Sequence, residues 1–289
     1  YIFPFIKSLK QKKIKFILSG AKQFYKEKEL IKKIKNFDGL ICGDDEITKK
    51  VIDVSNKLKV ISKWGTGIDS INLKYAKKNN IKVYNTPNAF TKGVAQLALG
   101  LALNLSREII KTHIQIQRGG WPKNEGRNLF NLKIGIIGYG NIGKEIHKYV
   151  KVISNNIKIY DIKKEKVPKI LFDLKSKICR QSDVIFLATD LNKSSYHIID
   201  KKEFEQFKKN LILINIARGP LINERYIAKY ADIKNIKFGL DVFENEPLPK
   251  KSQFKKLKNC IISSHNAFNT REDVLKTNIN TYKNLLKGL

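Results

Sequence analysis

Residues 132 to 161 constrain this chain more than any other stretch. A short apolar strand, Leu132-Lys133-Ile134-Gly135-Ile136-Ile137, runs into Gly138-Tyr139-Gly140-Asn141-Ile142-Gly143; a helical pattern follows, then a second apolar strand ending at Asp161. A G-x-G-x-x-G alone is weak, because glycines gather in ordinary turns. Placed between a strand and a helix, with an acidic residue eighteen positions beyond Gly143, it reads as a dinucleotide-binding unit. Gly138 permits the tight turn, Gly140 lets backbone N–H groups approach a pyrophosphate, and Gly143 lets the helix pack closely on its strand. The phosphates then sit at the positive helix N-terminus, over Asn141 and Ile142, and Asp161 takes the adenosine ribose hydroxyls. The competing reading is a glycine turn between an unrelated strand and helix.

At 289 residues the chain is long for one core and comfortable for two α/β domains. Apolar residues make up 42% and charged residues 29%, ordinary for a folded soluble protein. The longest apolar run, 94–105, is interrupted by Gln96, Gly100 and Asn104, so no membrane span is expected. The opening Tyr1-Ile2-Phe3-Pro4-Phe5-Ile6 is too short for a signal-peptide core. Cys42, Cys179 and Cys260 are odd in number and far apart, suggesting neither a disulfide framework nor a metal site. A reducing cytoplasm is the expected location.

The net charge of +31 raises nucleic acid as a partner. Only seven of the 57 basic residues are Arg, however, and the lysines are scattered along the whole chain. Base reading favours Arg, and no helix-turn-helix, finger or RNA-binding signature accompanies the charge. No specific nucleic-acid partner is expected, only non-specific attraction to polyanions.

Strand and helix patterns alternate. Leu58-Lys59-Val60-Ile61-Ser62 and Ile81-Lys82-Val83-Tyr84 read as strands around a helix near 73–78, and 94 to about 118 reads as one long helix stopped by Gly119-Gly120-Trp121-Pro122. Further strands fall near 183–188, 211–216, 236–240 and 260–263, before a last helix at about 271–285. This is a doubly wound parallel sheet, α/β in class. Residues 1–9 resemble the helix that follows a first strand, and the sequence has no Met, so a first strand is expected to precede this numbering. No regulatory module is expected after Leu289.

Several motifs now stand together: Trp64-Gly65-Thr66-Gly67-Ile68-Asp69, Asn85-Thr86-Pro87-Asn88, the glycine loop, Asn215-Ile216-Ala217-Arg218-Gly219, Asp241-Val242-Phe243-Glu244-Asn245-Glu246-Pro247 and Ser264-His265-Asn266-Ala267. In this order they resemble the D-2-hydroxyacid dehydrogenases, most closely the phosphoglycerate dehydrogenase branch, from about residue 38 onward. The resemblance implies a Rossmann NAD-binding domain, 94–266, inserted into a smaller flavodoxin-like substrate domain made of 1–93 and the returning helix 267–289. Hinges near Gly93 and Asn266 and a homodimer through the helix 94–118 are also implied.

Reducing a 2-keto acid needs a cation for its carboxylate, a hydride donor, and an acid for the new alkoxide. Arg218 directly follows an apolar strand, at the edge where open α/β sheets bind ligands, and its planar fork can hold two oxygens; the alternative is a surface or capping arginine. Of the four histidines, His113 and His147 lie in helical patterns and His197 reads as structural. His265 ends the apolar run Ile261-Ile262 at a strand's carboxyl end and is the candidate acid; a bland loop histidine is the alternative. Glu246, before Pro247, resembles the family's carboxylate partner, and an adjacent anion keeps an imidazolium populated. Glu244 is treated as exposed.

The resemblance also makes Gly65, Thr66 and Gly67 the loop that grips the substrate carboxylate. It places Ala217 among the cofactor contacts and Asp241 at the nicotinamide carboxamide. Lys63 stands ready for an anionic tail, against a plain solvated lysine. Three departures stand out: Ala188-Thr189-Asp190 replaces a His-x-Pro segment, Cys42-Gly43-Asp44-Asp45-Glu46 stands where several phosphoglycerate enzymes offer an Arg, and the strand expected before residues 1–9 would precede this numbering. The expected activity is NAD-dependent interconversion of a D-2-hydroxy acid and its 2-keto acid, 3-phosphoglycerate or a related small acid, with no metal. Two other classes remain: a non-catalytic NAD-sensing interaction protein on the same fold, and a polyanion-binding protein.

Overall fold

The structure is a computed structural model describing residues 5–18 and 24–289, so the expectation for residues 1–4 lies outside the described residues. Within the segment beginning at residue 5, a helix spans Ile6–Gln11. The chain divides into two compact units. One is formed by Tyr1–Phe90 together with Asn269–Leu289, the other by Thr91–Phe268.

The first unit carries a parallel sheet, β1 (Gly39–Cys42), β2 (Val60–Lys63) and β3 (Lys82–Tyr84), in the order β1-β2-β3. Every residue of β2 is buried, as a central parallel strand requires. One face, with Ile61 at its centre, packs on Ile47, Val51 and Ala76. The helix Arg271–Gly288 returns to this sheet, started by Thr270, whose side chain accepts from Asp273 N–H, with Glu272 and Asp273 in its first turn. Ser62 Oγ donates to the Thr281 carbonyl at 2.8 Å, and Tyr282 stacks on Phe5 at 4.5 Å. The two ends of the sequence therefore build one core.

The second unit is a six-stranded parallel sheet: β4 (Ile134–Ile137), β5 (Ile157–Tyr160), β6 (Val184–Leu187), β7 (Ile212–Asn215), β8 (Lys237–Leu240) and β9 (Cys260–Ile262), in the order β5-β4-β6-β7-β8-β9. A single bridge from Ile159 to Phe172 marks where a third outer strand would add to β5. The order reverses at β4, and the crevice at the carboxyl ends of β4 and β6 is the topological switch point. Register matters more here than strand length. Ile137 pairs with both Tyr160 and Leu187, Leu187 with Asn215, Asn215 with Leu240, and Leu240 with Ile262. The residues that follow, Gly138, Asp161, Ala188, Ile216, Asp241 and Ser263, all leave the sheet along one edge.

One expectation is corrected. Residues 94–118 form two helices, Thr91–Arg107 and Ile109–Gln117, broken at Glu108, whose φ of 55° is left-handed. The cause is a side chain turned inward: the buried Glu108 carboxylate pairs with Lys237 Nζ and, at 2.9 Å, with Lys111. Lys237 also donates to the Leu105 carbonyl at 3.2 Å, which takes up an acceptor at the helix end. No glycine or proline announces this break.

Candidate active site

In the second unit the glycine loop is shaped by three different constraints. Gly138 has φ 101°, and a Cβ there would lie 2.6 Å from the Ala188 backbone at the end of β6. A Cβ on Gly143 would lie 2.1 Å from the Gly138 carbonyl, so the helix Asn141–Val150 can approach β4 only with glycine at that point. Around Gly140 nothing stands within 4 Å of a Cβ position, and no side chain caps the helix that begins at Asn141. That open, uncapped N-terminus, with Asn141 and Ile142 in its first turn, fits a pyrophosphate.

Asp161 closes the other side. Its carboxylate accepts from Tyr139 N–H at 2.7 Å and from Lys163 N–H at 2.8 Å, tying the glycine loop to the end of β5 and leaving lone pairs for a ribose. Tyr139 hydroxyl meets His147 Nδ1 at 3.0 Å, and burial, then the Lys151 charge, lowers the His147 pKa. His147 therefore braces the loop from within its helix.

One strand beyond the switch point, the turn after β7 is held by the buried Asn215. Its Nδ2 donates to the Arg218 carbonyl at 2.8 Å and its Oδ1 accepts from Ala217 N–H at 3.2 Å. Arg218 Nη1 donates to the Ala217 carbonyl at 2.8 Å. A Cβ on the next residue, Gly219, would sit 1.9 Å from the Phe243 carbonyl carbon. The Arg218 turn thus lies directly against the segment after β8.

That segment carries Glu246. One oxygen accepts from Phe243 N–H at 2.8 Å; the other meets His265 Nδ1 at 2.7 Å, with both side chains one-fifth exposed. His265 has a left-handed φ of 53°, a conformation held from below by Asp241. Asp241 is fully buried. Its backbone carbonyl accepts from His265 N–H at 2.7 Å, its Oδ1 from Asn266 N–H at 2.8 Å and from Ser263 Oγ, and its Oδ2 from Ala267 N–H at 3.0 Å. Sequence reasoning gives Asp241 a cofactor contact; its visible work is to fold residues 263–267 around itself. With Nδ1 turned to Glu246, Nε2 is the nitrogen that can present a proton to a substrate.

Glu224 escaped the sequence reading. It exchanges backbone hydrogen bonds with Glu244: Glu244 N–H donates to Glu224 Oε1 at 2.7 Å, and Glu224 N–H to Glu244 Oε1 at 3.3 Å. Burial pushes the Glu224 carboxyl up to about 7, the Glu244 hydrogen bond opposes the rise, and the charges of Glu244 and Glu246 add to it. Glu244 is exposed as expected, and it also meets His197 Nε2 at 2.9 Å. His197 N–H donates to the Pro220 carbonyl at 2.8 Å. The segments carrying Arg218 and Glu246 are therefore clasped together from behind. The carboxylates sit twenty residues apart in sequence, and no spacing rule connects them.

In the first unit, Gly65 has φ 131° and its N–H donates to Thr86 Oγ1 at 3.1 Å. Thr66 Oγ1 donates to the Thr86 carbonyl at 3.2 Å, and Asn85 Nδ2 to the Thr66 carbonyl at 2.7 Å, so the 65–67 turn is pinned to the end of β3. Lys63 is no solvated lysine. It is buried, and its Nζ donates to the Gly43 carbonyl and to Asp44 Oδ1, both at 2.7 Å.

The family model of the "D-isomer specific 2-hydroxyacid dehydrogenase, NAD binding domain" matches residues 99–267. The chain belongs to the D-isomer specific 2-hydroxyacid dehydrogenases. The D-3-phosphoglycerate dehydrogenase of Methanocaldococcus jannaschii is 36% identical over 257 residues, covering 85% of this chain and 48% of that protein. The chain thus spans about half the length of that relative. The hydroxypyruvate reductase of Thermotoga maritima is 33% identical over 282 residues, covering 94% of the chain and 91% of the relative. Among solved structures, the TT0316 protein of Thermus thermophilus has a TM-score of 0.84 at 26% identity, covering 97% of the chain and 92% of its own. The match to the family's NAD-binding domain falls within the Thr91–Phe268 unit.

Proposed function

We propose that the chain reduces a small 2-keto acid to the corresponding D-2-hydroxy acid at the expense of NADH. The observation that carries the reading is the 2.7 Å pair of His265 and Glu246 on the loop against which the Arg218 turn is packed. Such a cluster supplies both charges the reaction needs: a guanidinium for the carboxylate and ketone oxygens, and an imidazolium to protonate the alkoxide. NAD fits the glycine loop, the uncapped Asn141–Val150 helix and Asp161; Ala217 and Asp241 are the residues that the family resemblance assigns to its nicotinamide half, and bound as NADH the cofactor would supply the hydride. Arg218 orients the keto acid, His265 Nε2 gives up the proton as the carbonyl oxygen becomes a hydroxyl, and Glu246 holds the ring and its positive charge. In the first unit, the turn of Gly65, Thr66 and Gly67 is the segment that the family resemblance assigns to the substrate carboxylate. Asp161 selects NADH over NADPH, since a 2′-phosphate would meet its charge.

The enzyme works in the cytoplasm, where Cys42, Cys179 and Cys260 stay as free thiols, and as a homodimer through the exposed isoleucines of the Ile109–Gln117 helix. A non-catalytic NAD-binding protein would have no use for the paired His265 and Glu246 beside Arg218.

The test is a panel of glyoxylate, hydroxypyruvate, pyruvate and 3-phosphohydroxypyruvate with NADH or NADPH. NADH-dependent reduction of at least one, lost in His265→Ala while NADH affinity changes less than about threefold, is expected. Full turnover in His265→Ala, or no reduction of any keto acid, refutes the assignment.

A further inference from the structure

Resting on the proposed reaction, we infer that Asp44 makes this a dehydrogenase for 2-keto acids without a phosphate tail. Lys63, the last residue of β2, backs the turn assigned to the substrate carboxylate: its Nζ lies 3.7 Å from where a Gly65 Cβ would stand. A cation there is well placed for a second anionic group on the substrate. This one is already spent. It is only 3% exposed, and a buried ammonium has to be paired; its partners are the Gly43 carbonyl and Asp44 Oδ1.

The pairing belongs to the fold rather than to a loose surface contact. Cys42 and Lys63 are register partners in β1 and β2, so the 43–46 loop starts directly opposite Lys63. Buried Asp45 fixes that loop by accepting from Tyr25 N–H at 2.7 Å and Gly43 N–H at 2.8 Å. Glu46 anchors its far end by accepting from Lys26 Nζ at 2.8 Å and Glu27 N–H at 2.9 Å. Asp44, by contrast, stands half exposed.

What a tail phosphate would meet is therefore a neutralised lysine and a carboxylate facing solvent, on a loop with two further acidic residues. The strong phosphate binder is Arg, through its bidentate fork. Residues 1–90 contain no arginine at all. A dianion on the carboxylate side of this pair is nearer the anion than the cation, so it is repelled where a free lysine would attract it; in a partly wet site that difference is about 100-fold, and it shrinks with salt.

Hydroxypyruvate and 3-phosphohydroxypyruvate differ only by the phosphate, so their ratio of kcat/KM isolates the effect. The wild type is expected to favour hydroxypyruvate by about 100-fold, less at high salt. Asp44→Asn keeps an oxygen for Lys63 Nζ and removes the charge. It should shrink the ratio at least tenfold, chiefly through a lower KM for the phosphorylated acid. Equal use of both acids by the wild type, or a ratio unmoved by Asp44→Asn, overturns the inference about Asp44 alone. If no keto acid is reduced with NADH, the reaction itself has been misassigned and the inference falls with it.

Discussion

At the scale of single residues, the site depends on where one negative charge sits. Glu246 favours the imidazolium form of His265, so ketone reduction should fall on the alkaline side as that proton is lost. Glu246→Gln removes the charge, the proton leaves earlier, and the alkaline limb should move to lower pH. A limb that stays put would break the pair. Arg218→Lys should lower kcat/KM by about 100-fold or more with NADH binding retained, because an ammonium cannot reproduce the fork. Glu224 adds a stability term of opposite sign to the usual carboxylate. Its carboxyl rises from 4.5 to about 7 on folding. Between those values the unfolded chain has lost the proton and the folded chain keeps it, so stability falls as pH climbs through the window and stays reduced above 7. Glu224→Gln should therefore raise stability near pH 8 by about 1 kcal/mol after allowance for screening, read as a higher melting temperature, and change nothing near pH 4.

At the scale of elements, the glycine loop separates folding from binding. Gly143→Ala forces a methyl into the Gly138 carbonyl, backbone against backbone, and should cost about 2–4 kcal/mol in thermal or denaturant unfolding. Gly140→Ala meets nothing in the protein and should leave stability within about 1 kcal/mol. Its methyl points into the space assigned to the pyrophosphate, so NADH fluorescence titration should show at least a tenfold weaker complex. Equal NADH affinity in Gly140→Ala would take the phosphates away from this loop. The strands and this loop were legible because buried parallel strands are continuous apolar runs and the turns between them need glycine. The places of Arg218 and His265, just beyond strand ends, were legible because each follows such a run. Glu108 was not: its break comes from an ion pair with Lys237, 129 residues away, which no local pattern encodes. The same holds for Glu224, and for Lys63, whose partner Asp44 is fixed by strand register and not by spacing.

At the scale of the whole molecule, one helix is held by polar contacts, Asn124 Nδ2 donating to Thr112 Oγ1 and Gln115 Oε1. Ile109–Gln117 is nine residues long and buries none of them, while Ile109, Ile110, Ile114 and Ile116 stand exposed. A helix this short is marginal in water without packing on an apolar face. Leu103 at the end of the preceding helix and Trp121 just beyond continue the exposed surface. A second copy of the chain is the proposed cover, and it must form against a net charge of +31 on each partner. That repulsion acts over many ångströms and is screened by salt, whereas the apolar contact is not weakened by it. Light scattering should therefore find a mass twice that of the chain, with dissociation promoted by dilution at low ionic strength and suppressed near 0.15 M salt and above. Ile110→Glu with Ile114→Glu should give a monomer at every salt concentration and lower the melting temperature, as the Ile109–Gln117 helix loses its cover. A double variant that still sediments as the wild type would place the interface elsewhere and leave this helix to its polar contacts.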